Sequence, residues 1–165
     1  MPVFLVEQLL NGLQLGLLLF LIAAGLTLIF GVMQFINLAH GSFFMFGAYF
    51  SVFFQQLTGN FWLALLLTLV TCFVLGLFFE MALARRLYKR NHLEQILVTF
   101  GFILFANDLV LLVWGFEPKF SGIPHILAGH TQLLGGVEYP TYRVGVILVG
   151  FVVAAGLYLF VNHTR

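Results

Sequence analysis

Along the chain, polar positions are so sparse that the places where they interrupt apolar runs mark the elements. A helix that crosses a bilayer needs about 20 mainly apolar residues. Four stretches meet that requirement: Phe4 to Phe30, Phe61 to Leu83, Ile96 to Trp114 and Val144 to Val161. A fifth, Ile36 to Phe54, is long enough but holds Asn37, His40, Gly41 and Ser42 inside its apolar run. Two connections are hydrophilic, Ala84 to Gln95 and the longer Gly115 to Tyr142. The pattern predicts an all-α, polytopic membrane protein whose residues 1–165 form a single transmembrane domain of about five segments. One of them is discontinuous or re-entrant near residues 31–54.

Composition narrows the environment. Hydrophobic residues make up 62% of the chain and charged residues 8%, and Phe occurs 21 times. A water-soluble domain of this length has no use for so much apolar surface, because its exterior must be wetted. The net charge of +1 comes with no basic patch, so no nucleic-acid partner is expected. Cys72, the one cysteine, lies in an apolar run, cannot form an intrachain disulfide and reads as a small packing residue. The start Met1-Pro2-Val3 carries no Lys or Arg, so a cleavable leader is not expected and the first segment should remain a membrane helix.

Charge also gives an orientation. Arg85, Arg86, Lys89 and Arg90 hold four of the seven Lys and Arg residues, which places residues 84–95 in the cytoplasm. The loop 116–142 has only Lys119, with Arg143 at its far edge, against Glu117 and Glu138, and is expected outside. Within it, Gly135-Gly136 separates two strand-like pieces, the pattern of a hairpin. The last segment then returns the C-terminus to the cytoplasm. The N-terminus lies outside if Ile36 to Phe54 crosses, and inside if it re-enters.

The link from Phe30 to Ser42 contains no charge. Two readings fit it. In one, the backbone breaks at membrane depth, Ser42 caps a half-helix of about a dozen residues, and the helix N-terminus faces a solute path. In the other the helix is continuous, and Asn37, Gly41, Phe44, Ala48, Ser51 and Gln55 form a polar and small-residue stripe that packs helices together. Asp108, beside Asn107 in an apolar run, is expected to face the bundle interior, a cavity or a partner. Glu80, one turn before Arg85-Arg86, fits local pairing at the cytoplasmic edge. Gly12-x-x-x-Gly16 permits close helix approach. No second His or Cys stands at ligand spacing to His40, so no metal is expected. No phosphate loop or nucleophile elbow is present, so no cofactor and no enzymatic activity are expected.

Several motifs, in order, resemble one family. "GLTLIFGVMQFINLAHGSFFMFGAY" is similar to the signature of the membrane-spanning subunits of bacterial branched-chain amino acid ABC importers, and of their relatives that carry urea or other small amides. "LVTFG" (Leu97 to Gly101), "WG" (Trp114-Gly115) and "YPTYR" (Tyr139 to Arg143) match further family positions. The resemblance implies a permease subunit in the bacterial inner membrane, paired with a second permease, two cytoplasmic ATPases and an external solute-binding protein. It places Asn37, His40, Gly41, Ser42, Thr99, Gly101 and Asp108 on the substrate pathway and favours the broken helix. Family members are longer, so the chain is expected to be the N-terminal half of a permease. The alternative is a non-transporting scaffold or inactive fragment.

Overall fold

The computed structural model describes residues 2–120, 122–124, 127–133 and 137–163. In chain order these form α1 (Pro2–Met33), α2 (His40–Thr58), α3 (Phe61–Phe79), a π-turn (Glu80–Ala84), α4 (Arg85–Leu87), α5 (His92–Trp114), β1 (His130–Leu133), β2 (Val137–Pro140) and α6 (Thr141–His163). Four helical stretches are long and apolar enough to cross a membrane: Phe4–Met33, Phe61–Leu87, His92–Trp114 and Thr141–His163. With α2 as a further helix, the molecule is an all-α, polytopic membrane protein.

The helix ends leave backbone groups without intrahelical partners, and turns and side chains supply them here. Gly59 takes the left-handed conformation (φ 64°) that closes α2, and its N–H reaches the Gln55 carbonyl at 2.9 Å. Asn60 then caps α3, its Oδ1 accepting from Trp62 N at 3.0 Å and Leu63 N at 3.3 Å. Asn91 caps α5 reciprocally with Glu94. Its Oδ1 accepts the Glu94 N–H and its Nδ2 donates to Glu94 Oε1, both at 2.9 Å. Helix therefore extends through Arg85–Leu87 and resumes at His92, so only 88–91 of the expected hydrophilic connection 84–95 is non-helical.

The chain divides into two compact units, Met1–Ala24 with Ile123–Arg165, and Gly25–Gly122. In the first, Leu17, Tyr139 and Ile147 form a small apolar core. Tyr139, 2% exposed, donates its hydroxyl to Asn11 Oδ1 at 2.9 Å, and Arg143 Nη1 donates to the same oxygen at 2.6 Å. α1 and α6 come close at Gly150, where an added Cβ would stand 3.3 Å from Leu17 Cβ. An added Cβ at Gly12 or Gly16 meets nothing, so the expected Gly-x-x-x-Gly approach is absent among the described residues. β1 and β2 pair antiparallel, from His130 with Pro140 to Leu133 with Val137. The turn expected at Gly135-Gly136 lies outside the described residues, as do Thr164 and Arg165.

In the second unit α2 and α3 form an antiparallel hairpin, while α2 and α5 run parallel. The ring contacts fix this: Phe43 meets Phe79 (centroids 5.0 Å apart) and Phe102 (6.1 Å), and Phe79 meets Phe102 at 4.8 Å. Further along, Tyr49 and Phe50 pack on Trp114. The buried face of α2 is Ser42 and Phe46. Gly41, Phe44 and Ala48 are exposed, and Asn37 is not helical, which corrects the continuous polar stripe. α2 has 19 residues and reaches about 28 Å, so it is no half-helix.

Candidate functional site

Between α1 and α2 the backbone leaves the helix for six residues. Gln34 adopts the left-handed region (φ 51°), unusual for a side chain with a Cβ, and its N–H holds the Phe30 carbonyl at 2.8 Å. Beyond it Phe35, Asn37 and Ala39 are buried while Leu38 is exposed, and the chain turns at Leu38-Ala39 into the next helix. The N–H groups of Ile36 and Leu38 turn to α5, where Gln95 Oε1 accepts the first at 3.1 Å and Thr99 Oγ1 the second at 3.4 Å. Gln95 Nε2 in turn donates to the carbonyls of Leu87 (3.2 Å) and Arg90 (3.1 Å). Gln95 and Thr99 are 3% and 0% exposed, so side chains rather than water satisfy the break. The break thus lies against the first two turns of α5, near the basic segment, and not halfway along the helices as its reading at membrane depth implied.

Helix α2 begins at His40, with Ala39 at the cap and no side-chain cap bond. Ser42, expected as the cap, lies inside the first turn, and its N–H bonds to the Ala39 carbonyl at 2.9 Å.

Beneath the break is a pocket of about 340 Å³, open on one side. Ile29, Met33, Phe43 and Phe79 give it apolar walls, and Asn37, His40, Glu80 and Tyr88 contribute polar groups. Asn37 is 6% exposed, and its buried Oδ1 has no hydrogen-bond partner among the described residues. The His40 ring lies against α1 at Gly25, where an added Cβ would stand 2.8 Å from Nε2. Glu80 and Arg85 pair through two contacts of 3.2 Å. Residues five apart diverge by roughly 140° on an α-helix. The π-turn between them brings both onto one side.

The structure brings Asn37 and His40 to the cavity, and puts Ser42 and Thr99 in the packing around it. Gly41, Gly101 and Asp108 are exposed on other helix faces, so Asp108 does not point into this unit's interior. Gln95 was not singled out in the sequence. Its only signal there is an amide one turn past a helix cap, at the entry to an apolar run. Among the described residues no group of three or more His, Cys, Asp or Glu side chains could hold a metal.

Comparison with known proteins adds the decisive observation. The model of the branched-chain amino acid transport system / permease component family matches residues 8–165. The chain belongs to that family. This permease chain is 28% identical over 172 residues to the high-affinity branched-chain amino acid transport system permease protein BraD of Pseudomonas aeruginosa, covering 96% of the chain and 55% of BraD. It is 25% identical over 178 residues to the permease protein LivH of Escherichia coli K12 (98% of the chain, 56% of LivH). It is also 24% identical over 176 residues to LivH of Salmonella typhimurium, with the same two coverages. The chain therefore spans about half the length of the curated relatives it matches. No solved structure matches it.

Proposed function

We propose that this chain is the N-terminal part of a permease subunit in an ATP-driven importer of branched-chain amino acids, and that the cavity beneath the α1–α2 break belongs to its translocation pathway. The observation that carries the reading is the cavity itself. Asn37 and His40, the polar residues that interrupt the apolar run, both line it, and the break beside them is held by Gln95 and Thr99. Family membership supplies the transport class, and the likeness to BraD and LivH suggests the solute.

In this reading Asn37 and His40 face the path while Ser42 and Thr99 hold its wall. Gly41, Gly101 and Asp108, exposed in this chain alone, join the path only when a second permease subunit covers them. Two cytoplasmic ATPases and an external solute-binding protein complete the assembly in the bacterial inner membrane. Residues 84–95 and the C-terminus face the cytoplasm, and 116–142 face outward. No residue of this chain is assigned to ATP hydrolysis.

The test is ATP-dependent uptake of radiolabelled leucine by the complete transporter containing this chain. His40→Ala should lower uptake about tenfold at unchanged assembly, the scale of one lost hydrogen bond to a charged ligand group. Normal uptake in both His40→Ala and Gly41→Leu would overturn the path assignment.

A further inference from the structure

Helix α5 has two faces of opposite character. Gln95, Thr99, Ala106 and Val110 are buried within their unit. Asp108 stands two residues from both Ala106 and Val110, which on a helix of about 3.6 residues per turn is the opposite side. It is exposed, and its carboxylate forms no ion pair and no side-chain hydrogen bond among the described residues. Trp114 ends the helix, so Asp108 lies about 9 Å inside the end of the span. A carboxylate facing lipid at that depth is costly, and its short side chain cannot reach the interface as Lys and Arg do.

The residues around Asp108 have the spacing of a helix-packing seam. Leu97, Gly101, Leu104, Asp108 and Leu111 follow one another at alternating steps of four and three, and all are exposed. A Cβ added at Gly101 would meet nothing within 4 Å, so the backbone there is open to close approach by another helix.

Charge selects the occupant of the seam. No Lys or Arg occurs in α1, α2, α3 or α5. Arg143 of α6 is engaged by Asn11 and Tyr142. A second copy of the chain does not supply the countercharge, because a two-fold contact on this seam sets Asp108 against its own counterpart. Lipid tails leave the carboxylate unpaired.

We infer that the outward face of α5 docks a spanning helix of another polypeptide, and that this helix carries a Lys or Arg that pairs with Asp108. Gly101, two turns away on the same seam, lets the two backbones come together. The inference rests on the transport reading above, which supplies the assembly. It adds the face, the register and the charge by which the covering subunit is recognised.

The experiment places p-benzoylphenylalanine at Leu104 in the complete transporter in native membranes and identifies the photo-cross-linked peptide by mass spectrometry. The product should be a spanning segment of another subunit with a Lys or Arg within about two turns of the cross-linked residue. Co-purification of that subunit with this chain then reads the charge. Asp108→Asn and Asp108→Leu should each lower its recovery at least about tenfold, the least expected when one member of a desolvated charge pair is truncated. Asp108→Lys should lower it further, and changing the basic residue of the cross-linked helix to Asp should restore it. The side chain is exposed in this chain, so the variants leave the chain's own packing in place. Cross-linking to lipid alone, to a second copy, or to a helix without a basic residue overturns the inference. Undiminished recovery with Asp108→Leu, or with Asp108→Asn, which keeps a neutral hydrogen bond, overturns it too. Leucine uptake separates the two readings: a wild type that imports leucine while Leu104 finds only lipid sinks the docking face alone, and a wild type that imports none sinks the transport reading.

Discussion

Gln95 accepts the backbone N–H of Ile36 at 3.1 Å across 59 residues of sequence, and the same amide donates to the carbonyls of Leu87 and Arg90. One buried side chain thus ties the α1–α2 break to the end of α4 and the start of α5. Thr99, one turn further on, takes the Leu38 N–H at a longer 3.4 Å.

Gln95→Leu should therefore destabilise the complex by about 2 kcal/mol, since it strands the Ile36 N–H and the Arg90 carbonyl, while the Leu87 carbonyl keeps its bond from the Arg90 N–H. Thr99→Val should cost less, about 1 kcal/mol, because the bond it removes is longer, and Thr99→Ser should restore most of it. Thermal unfolding of the purified complex, followed by labelling of Cys72, measures both. A Thr99→Val loss larger than that of Gln95→Leu would mean the break is held otherwise.

Gly25 is required by His40. Gly25→Ala should push the imidazole toward the cavity and cost about 1–2 kcal/mol, the lower part of the usual overpacking range, because a ring edge beside a cavity has room to yield. His40→Ala should relieve it, so a double-mutant cycle should give a coupling of at least roughly 0.5 kcal/mol. Additive effects would place the His40 ring elsewhere.

Asn11 Oδ1 receives both the Tyr139 hydroxyl and the Arg143 guanidinium. Asn11→Leu should cost about 2 kcal/mol, more than Tyr139→Phe, which removes donor and bond together and leaves Arg143 paired. Parallel melting curves of the two variants decide the order.

Orientation is checked with single cysteines at Lys89 and Lys119 in a Cys72→Ser background. A membrane-impermeant maleimide should reach Lys119→Cys in intact cells and Lys89→Cys only in inverted vesicles. Labelling of both from one side would overturn the orientation.

The apolar segments were legible in the chain because lipid imposes its demand on nearly every residue of a spanning helix. The observed spans contain the four expected ones, three extended at one end and the last at both. Asn37 and His40 were legible as anomalies for the same reason. Their partners were not. In the sequence Ser42 looks like a cap, yet α2 starts two residues earlier because the backbone of Asn37 and Ala39 forms its first bonds. The stripe through Gly41, Phe44 and Ala48 looked like a packing face and points outward, because Phe43 and Phe46, not the small residues, meet α3 and α5.

By itself, then, the sequence determined that this protein lives in a bilayer, where its helices lie, and that the run after Phe30 is unlike the rest. Tertiary structure decided what that run does. Gln95 closes the break and Gly25 seats His40 from far along the chain, and the volume beneath Asn37 exists only once α1, α2 and α3 are packed. An orphaned backbone N–H can be seen coming from local sequence, but the group that satisfies it is set by which side chain the fold brings within 3 Å or so.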